Sequence, residues 1–221
     1  MTESDITRPD PDRLLEKIRS EETPSQKKGY LKIFLGYCAG VGKTYRMLSE
    51  GQTLHRQHQN VVIGIVETHG RKETIALTKG LEEIPRTSQD YRGITLTEFD
   101  IDKALELKPQ ILLLDELAHT NNPGSRHPKR YQDVEELLEQ GISVYTTLNI
   151  QHIESVQDIV QQITGIGVQE TVPDRILERA DKIELVDLPP EELLQRLSEG
   201  KVYVPEKART AVEKFFRKGN L

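Results

Sequence analysis

Residues 36–44 read GYCAGVGKT, a glycine-rich stretch between two segments of different hydrophobic pattern. The apolar run before it, Leu31–Leu35, is typical of a buried strand, and residues 47–54 after it carry apolar side chains at helical spacing. A strand, a glycine-rich turn and a helix in this order are typical of a phosphate-binding loop. The glycines let backbone amides curl around phosphate oxygens, and the helix start adds the positive end of its dipole. The sequence therefore predicts a nucleotide-binding loop.

Within this loop, Lys43 is expected to reach the terminal phosphates of ATP, and the Thr44 hydroxyl to ligate Mg²⁺. The standard pattern has a glycine six residues before the lysine, but here that position is Tyr37 and the glycine is Gly36. The loop is thus a variant, and the alternative interpretation is a glycine-rich turn with a chance Gly-Lys-Thr. The residues predicted to bind the nucleotide in this region are Gly36, Ala39, Gly40, Val41, Gly42, Lys43, Thr44 and Tyr45.

A second apolar run, Ile111–Leu114, ends in two acids, Asp115 and Glu116. Asp115 is expected to hold the Mg²⁺ shell together with Thr44, and Glu116 is the candidate catalytic base that polarises a water for attack on the γ-phosphate. An apolar run ending in two acids is common by itself. Its combination with the glycine-rich loop is what makes the signal specific.

Further polar segments follow predicted strands at the same edge, where ligands of open α/β sheets bind. Thr147 and Asn149 either sense the γ-phosphate or cap the helix that follows. Arg126 is either a charge-stabilising arginine finger, within the chain or across a homodimer, or part of a solvated helix start. Four histidines also fall here, but their spacing matches no standard zinc-ligand pattern. They are His69, His119, His127 and His152.

The remaining apolar runs, at 61–66, 142–147 and 183–186, alternate with helical patterns such as residues 153–163. Short runs that are apolar on both faces suit strands buried in a parallel sheet. The sequence therefore predicts an α/β protein with a P-loop NTPase-like three-layer fold, in which a mostly parallel sheet has helices on both faces.

The predicted nucleotide-binding domain spans residues 29–188. Residues 1–28 are predicted to form an N-terminal helical extension and linker. Residues 189–221 are predicted to form a C-terminal helical tail that leads towards a downstream domain.

Composition narrows the class of protein. The chain has 221 residues and a net charge of −6, which argues against a general nucleic-acid binder. Its apolar runs are far shorter than the roughly 20 residues of a membrane helix, so no membrane insertion is expected. A single cysteine, Cys38, cannot form an internal disulfide and fits a reducing environment. These features favour a cytoplasmic protein.

Several longer blocks of sequence resemble the N-terminal cytoplasmic domain of the KdpD family, the potassium-responsive sensor histidine kinases. The resemblance covers nearly the whole chain from Arg8 onward, and the family's phosphate loop shares the shifted glycine. The blocks are RPDP (8–11), the loop (36–44), ETHGR (67–71), LDELAHTN (114–121), PGSRH (123–127), KR (129–130), QDVEELL (132–138) and TTLNIQH (146–152).

The resemblance implies a function. Full-length relatives continue into a universal-stress-protein-like domain, four membrane helices and a histidine kinase core, which phosphorylates the response regulator KdpE. The resemblance implies that this N-terminal domain binds Mg·ATP and modulates the balance of kinase and phosphatase output, with ATP or ADP and the downstream domains as its partners. The chain carries no phospho-acceptor histidine box, so it is not expected to be a histidine kinase by itself. The alternatives are a slow ATPase acting as an autonomous enzyme and an ATP-dependent interaction module.

Overall fold

A computed structural model of the protein describes residues 28–91, 93–164 and 167–198. The strands are β1 (Leu31–Gly36), β2 (Val61–Ile65), β3 (Glu82–Glu83), β4 (Thr87–Tyr91), β5 (Ile94–Glu98), β6 (Ile111–Leu114), β7 (Ser143–Asn149) and β8 (Lys182–Leu185). The α-helices are α1 (Lys43–Arg56), α2 (Lys72–Ala76), α3 (Ile101–Leu107), α4 (Arg130–Glu139), α5 (Gln157–Thr164), α6 (Asp174–Arg179) and α7 (Pro190–Ser198). Two short 3₁₀ turns, Ile150–His152 and Glu154–Val156, lie between β7 and α5.

The central sheet has six strands in the order β3-β2-β6-β7-β1-β8, and every neighbouring pair is parallel. Parallel strands need crossover connections, and the helices between them supply these and cover the sheet. The predicted α/β three-layer fold with a parallel sheet is confirmed. The antiparallel hairpin β4–β5 stands apart from the sheet and has no counterpart among the predicted elements.

Each face of the sheet is buried under helices. On one face, Met47 and Leu48 of α1 pack on Phe34, Ile63 and Leu113. Helix α1 approaches closely there, since a Cβ on Gly51 would lie 2.7 Å from Leu113 Cδ1. On the other face, α4 and α6 cover a larger cluster of buried side chains. Its members include Leu31, Ile33, Leu112, Val134, Leu137, Val144 and Ile176.

The strand order determines which chain segments meet at the carboxyl edge of the sheet. β7 lies between β1 and β6, and its register pairs Asn149 with Gly36 on one side and Thr146 with Leu114 on the other. The glycine-rich loop after β1 and the acids after β6 therefore flank the end of β7. Ligands of open parallel sheets bind at this edge.

Two parts of the predicted pattern are wrong. The run 183–186 does form a strand of the parallel sheet, β8, but it is not buried: it pairs only with β1 at the sheet edge and leaves Ile183 43% and Leu185 59% exposed. Residues 153–163 are not one helix with a buried face: Ile153 bridges to Val172, and α5 begins at Gln157 with Ile163 exposed.

The predicted N-terminal extension, apart from residue 28, and most of the predicted tail lie outside the described residues. In the part of the chain that the structure describes, no helix is both long and apolar enough to cross a membrane. The described start of the tail, α7, packs through Leu193 against Cys38 and Val41 of the glycine-rich loop.

Candidate nucleotide-binding site

Glycine is required at three positions of the loop for two different reasons. Gly40 and Gly42 have φ values of +92° and +103°, a conformation that side chains rarely adopt. Gly36 is constrained by space: a Cβ there would lie 2.6 Å from Val41 Cγ2 and 2.9 Å from Lys43 Cδ. The glycine displaced by one position from the standard pattern is therefore the one over which the loop folds back.

Lys43 is held inside the loop rather than extended into solvent. Its Nζ donates to the carbonyl oxygen of Cys38 at 2.9 Å, and the residue is only 8% exposed. Burial lowers the pKa of Lys43 to about 8, although the nearby Asp115 carboxylate opposes that shift. The ammonium group thus lies in a site of reduced hydration, where an anion would restore its preference for the charged form.

Asp115, which follows β6, is hydrogen-bonded to groups from α1, from the end of β7 and from the segment after β2. Thr44 Oγ1, in the first turn of α1, donates to Asp115 Oδ2 at 3.0 Å, and the Thr147 hydroxyl at the end of β7 donates to Oδ1. The backbone N–H of Glu67, after β2, also points to Oδ2 at 3.3 Å. Asp115 is 2% exposed. Its hydroxyl and amide partners make it a buried, fixed carboxylate beside the loop.

Glu116 adopts an unusual backbone conformation, with φ of +58°. Its N–H donates to Asp115 Oδ1 at 3.1 Å and Thr147 Oγ1 at 3.2 Å, which hold this left-handed turn in place. The Glu116 side chain is exposed to solvent, but it lines a concave pocket. Partial loss of hydration there, together with the charge of Asp115, raises the pKa of Glu116. Strained backbone of this kind is often found at functional sites.

These groups border one pocket of about 160 Å³. Most of the predicted site residues line it, as do three of the four histidines. The predicted residues are Ala39, Gly40, Gly42, Lys43, Thr44, Asp115, Glu116, Thr147 and Asn149, and the histidines are His69, His119 and His152.

The other predicted site residues lie elsewhere. Gly36 is beneath the loop, while Val41 and Tyr45 border a neighbouring cavity. Arg126 is outside the pocket: its Nη1 lies 2.6 Å from Glu136 Oε1 and its Nη2 lies 2.5 Å from Asp102 Oδ1. The fourth histidine, His127, hydrogen-bonds with Glu136.

Two buried polar atoms at the end of β7, Asn149 Oδ1 and Thr146 Oγ1, have no hydrogen-bond partner among the described residues. A buried polar group without a partner is costly, so such a group beside a pocket indicates a bound ligand or water. Together with the glycine cradle, Lys43 and the hydroxyl–carboxylate pair, Asn149 fits a site for a phosphate chain and a hard divalent cation.

Sequence reasoning missed the group that supports Asp115 from behind. Arg130 Nη1 donates to the Asp115 carbonyl at 3.1 Å, and Nη2 pairs with Glu98 Oε1 at 2.5 Å. Glu98 Oε2 also accepts from His119 Nε2, at 3.0 Å, and from the Asn122 N–H, at 3.1 Å. Glu98 ends the unpredicted hairpin, and no local signal places it here. Arg130 lies in the KR block (129–130), whose sequence does not indicate this contact.

The parallel sheet, the glycine-rich loop at the end of β1 and the acids at the end of β6 define a P-loop-like α/β domain. A family model described as the osmosensitive K⁺ channel His kinase sensor domain, KdpD, matches residues 27–221. The chain therefore belongs to the KdpD family.

Similar curated proteins bear the same family name. The sensor protein KdpD of Escherichia coli is 58% identical over 214 residues, which are 97% of this chain and 23% of that protein. The sensor protein KdpD of Clostridium acetobutylicum is 53% identical over 97% of this chain and 24% of its own length. The chain thus spans about a quarter of the length of these relatives.

Among solved structures, the chain is similar to the Legionella pneumophila ATPase DotB. The TM-score is 0.39 and the sequence identity 20%, over 94% of this chain and 56% of that one. A similarity at this level supports no conclusion about function.

Proposed function

We propose that the chain is a regulatory Mg·ATP-binding module of a potassium-responsive two-component sensor kinase, and that it works on the cytoplasmic side. One observation carries the nucleotide part of this proposal: Thr44 Oγ1 and Asp115 Oδ2 lie 3.0 Å apart although their strands are separated by β7. A hydroxyl that follows the loop lysine and a carboxylate at the end of another strand of the sheet are the oxygen donors that Mg²⁺ takes in P-loop proteins.

The residues present fit this ligand. The loop amides around Gly40 and Gly42 and the ammonium of Lys43 would hold the phosphates, while Thr44 and Asp115 would hold Mg²⁺. The metal, when bound, neutralises charge on the β- and γ-phosphates. Asn149 offers a further polar group at the same pocket.

The hydrogen bonds of Asp115 support a switching role. Thr44 and Thr147 both bond to its carboxylate, and Arg130 bonds to its carbonyl. The following segment is tied to β7 as well, since the Leu117 N–H donates to the Thr147 carbonyl at 3.0 Å. A γ-phosphate that competes for these polar groups would rearrange the segment 116–130, and a ligand shifts such an equilibrium through its differential affinity for the two states.

The relatives are longer proteins, so we propose that this module modulates kinase and phosphatase output through the downstream domains of such a kinase, which are its partner. Family membership supports that assignment. The segment 116–130 borders the pocket through residues 116–119, and α7 packs on the glycine-rich loop, so both are placed to transmit the state of the site.

A slow ATPase is the second candidate, and Glu116 favours it. Its carboxylate lines the phosphate pocket and its raised pKa suits a group that accepts a proton. Hydrolysis would then act as the reset step of the switch.

A single-turnover experiment tests both functions. Excess protein is mixed with limiting labelled ATP and Mg²⁺, and bound ATP and ADP are resolved over time for the wild type, Lys43→Ala and Glu116→Gln. We expect the wild type to retain nucleotide and Lys43→Ala to lose it. Bound ADP that accumulates in the wild type but not in Glu116→Gln establishes the ATPase. A wild type that binds no nucleotide contradicts the proposal.

A further inference from the structure

A second cavity, of about 770 Å³, adjoins the phosphate pocket along the loop. The two share Gly40, Gly42 and the segment around His69, but the second cavity is also bounded by groups that do not line the phosphate pocket. They include Tyr45 and Arg46 on α1, residues 72–74 on α2, the segment 186–188 after β8, and Arg196 on α7. The phosphate pocket, at about 160 Å³, is by comparison small.

The walls of this second cavity combine one aromatic ring and an apolar surface with several charged side chains. The charged residues are Arg46, Arg71, Lys72, Glu73, Asp187 and Arg196. Tyr45 is 47% exposed in the first turn of α1, two residues after Lys43. Val186 and Leu188 are half-buried, and Asp187 between them is exposed. A ribose and a base offer both polar edges and an apolar face, so a mixed lining of this kind suits a nucleoside. An exposed aromatic ring can stack on any nucleobase because every base has a π-face.

Helix α7 both lines this cavity and rests on the loop. Leu193 is 2% exposed in a cluster with Cys38 and Val41, so the helix is fastened to the loop by buried apolar contact. One turn further on, Arg196 Nη1 lies 3.5 Å from the Gly40 carbonyl oxygen and 3.8 Å from the position that a Cβ on Gly42 would take. The guanidinium therefore stands where the loop and the cavity meet.

We infer that the second cavity receives the nucleoside part of the bound nucleotide, and that Tyr45 and Arg196 are two of its ligands. The inference rests on the proposed function, since it extends the same phosphate site. It has a structural consequence: a whole nucleotide contacts α7, whereas a bare phosphate chain does not. Because of this contact, the position of α7 depends on the nucleoside and not on the phosphates alone. The chain continues from α7 past residue 198.

The test compares Mg·ATP with Mg·tripolyphosphate as probes of the full 221-residue chain. Binding constants are measured by calorimetry for the wild type, Tyr45→Ala, Tyr45→Phe and Arg196→Gln. Tyr45→Ala removes the stacking ring and Arg196→Gln removes a charged ligand. Each should weaken the binding of Mg·ATP roughly ten-fold or more. Tyr45→Phe keeps the ring and should bind as the wild type does, and tripolyphosphate affinity should be unchanged in all of them. Tyr30→Ala and Arg56→Gln, at exposed positions outside the cavity, are the matched controls.

Hydrogen exchange supplies a readout that a purely structural role of these side chains would not move. Amides of α7 should exchange more slowly with Mg·ATP than with Mg·tripolyphosphate in the wild type, and this difference should vanish in Arg196→Gln. The melting temperature of each variant without ligand establishes that it is folded.

Three results would overturn the inference. Equal loss of ATP and tripolyphosphate affinity in Arg196→Gln would make Arg196 a phosphate ligand. Wild-type ATP affinity in both Tyr45→Ala and Arg196→Gln would place the nucleoside elsewhere while leaving the proposed function intact. A wild type that binds neither probe would refute the proposed function and this inference with it.

Discussion

Arg130 and Glu98 form a buried ion pair, with Nη2 of the first 2.5 Å from Oε1 of the second and side-chain exposures of 2% and 6%. The pair joins the start of α4 to the end of the β4–β5 hairpin. Because the same guanidinium also holds the carbonyl of Asp115, the ion pair supports the strand end on which the candidate site is built.

Breaking this pair should be strongly destabilising. In Arg130→Met, Glu98 would remain buried without its guanidinium partner, and we expect the free energy of unfolding to fall by about 3–5 kcal/mol. Adding Glu98→Gln should recover part of the loss, since the neutral amide keeps an acceptor oxygen. Urea denaturation of both variants measures this. Arg175→Met removes an exposed pair with Glu135 and should cost less than about 1 kcal/mol. Equal costs for Arg130→Met and Arg175→Met would contradict the prediction.

The same carboxylate should make the protein sensitive to acid. Burial by itself would raise the pKa of Glu98, but hydrogen bonds from His119 and the Phe99 N–H and the charge of Arg130 outweigh it and bring the pKa to about 2. The folded-state pKa is depressed, so this stabilisation is fully present above about 4.5 and is lost as pH falls towards 2. The loss is on the order of 3 kcal/mol. In Glu98→Gln, the stability measured between pH 4.5 and 2.5 should decline less steeply than in the wild type.

Asp133 should have the opposite effect to Glu98 on the pH dependence of stability. Burial raises its pKa from 3.8 to about 6, even though Asn121 Nδ2 donates to it at 2.6 Å. A raised folded-state pKa gives stability that is present below 3.8 and lost as pH rises through about 6. Asp133→Asn should therefore be more stable than the wild type at pH 8, by roughly 1–3 kcal/mol, and this advantage should disappear near pH 4. Urea titrations at pH 8, 6 and 4 measure it, and an advantage that is independent of pH would rule out this explanation.

Arg126 should not govern ATP affinity. Its side chain is 41% exposed, and its guanidinium pairs with Glu136 and Asp102 outside the phosphate pocket. Arg126→Ala should leave the Mg·ATP dissociation constant unchanged and alter the unfolding free energy by less than about 1 kcal/mol. Hydrolysis per chain, measured over a range of protein concentrations, tests the remaining role across a homodimer. A defect in Arg126→Ala confined to concentrations at which the chain dimerises would assign it as an arginine finger in trans.

The sequence was sufficient to predict the central strands. It was also sufficient to predict that Lys43, Thr44 and Asp115 lie in one site. Buried strands of a parallel sheet appear as short runs that are apolar on both faces, and such strands place their carboxyl ends at one edge. Motifs that follow two of these runs therefore lie at the same edge, and they come close here because only β7 separates β1 from β6.

Contacts between strands or residues that are distant in sequence could not be predicted from the sequence. An apolar run such as 183–186 does not show whether its strand lies at the centre or the edge, because that depends on which strands flank it. Glu98 and Arg130 are 32 residues apart and meet only because the hairpin folds over the start of α4. For the same reason, the contact of Leu193 with the glycine-rich loop could not be predicted from a helical pattern that begins after Asp187.

Gly36 should be needed for the position of Lys43 and not for the fold. The Cβ in Gly36→Ala would meet Val41 Cγ2 at 2.6 Å and Lys43 Cδ at 2.9 Å, so one of these side chains must move. We expect Mg·ATP affinity to fall roughly ten-fold, which corresponds to about 1.4 kcal/mol of binding free energy. Calorimetry measures this change. Adding Val41→Ala removes the closer methyl group and should restore part of the affinity. Gly80→Ala has a strained φ of +84° but no atom within 4 Å, so it serves as a control that affects stability alone. If Gly36→Ala binds as tightly as the wild type, the displaced glycine has no role in positioning the lysine.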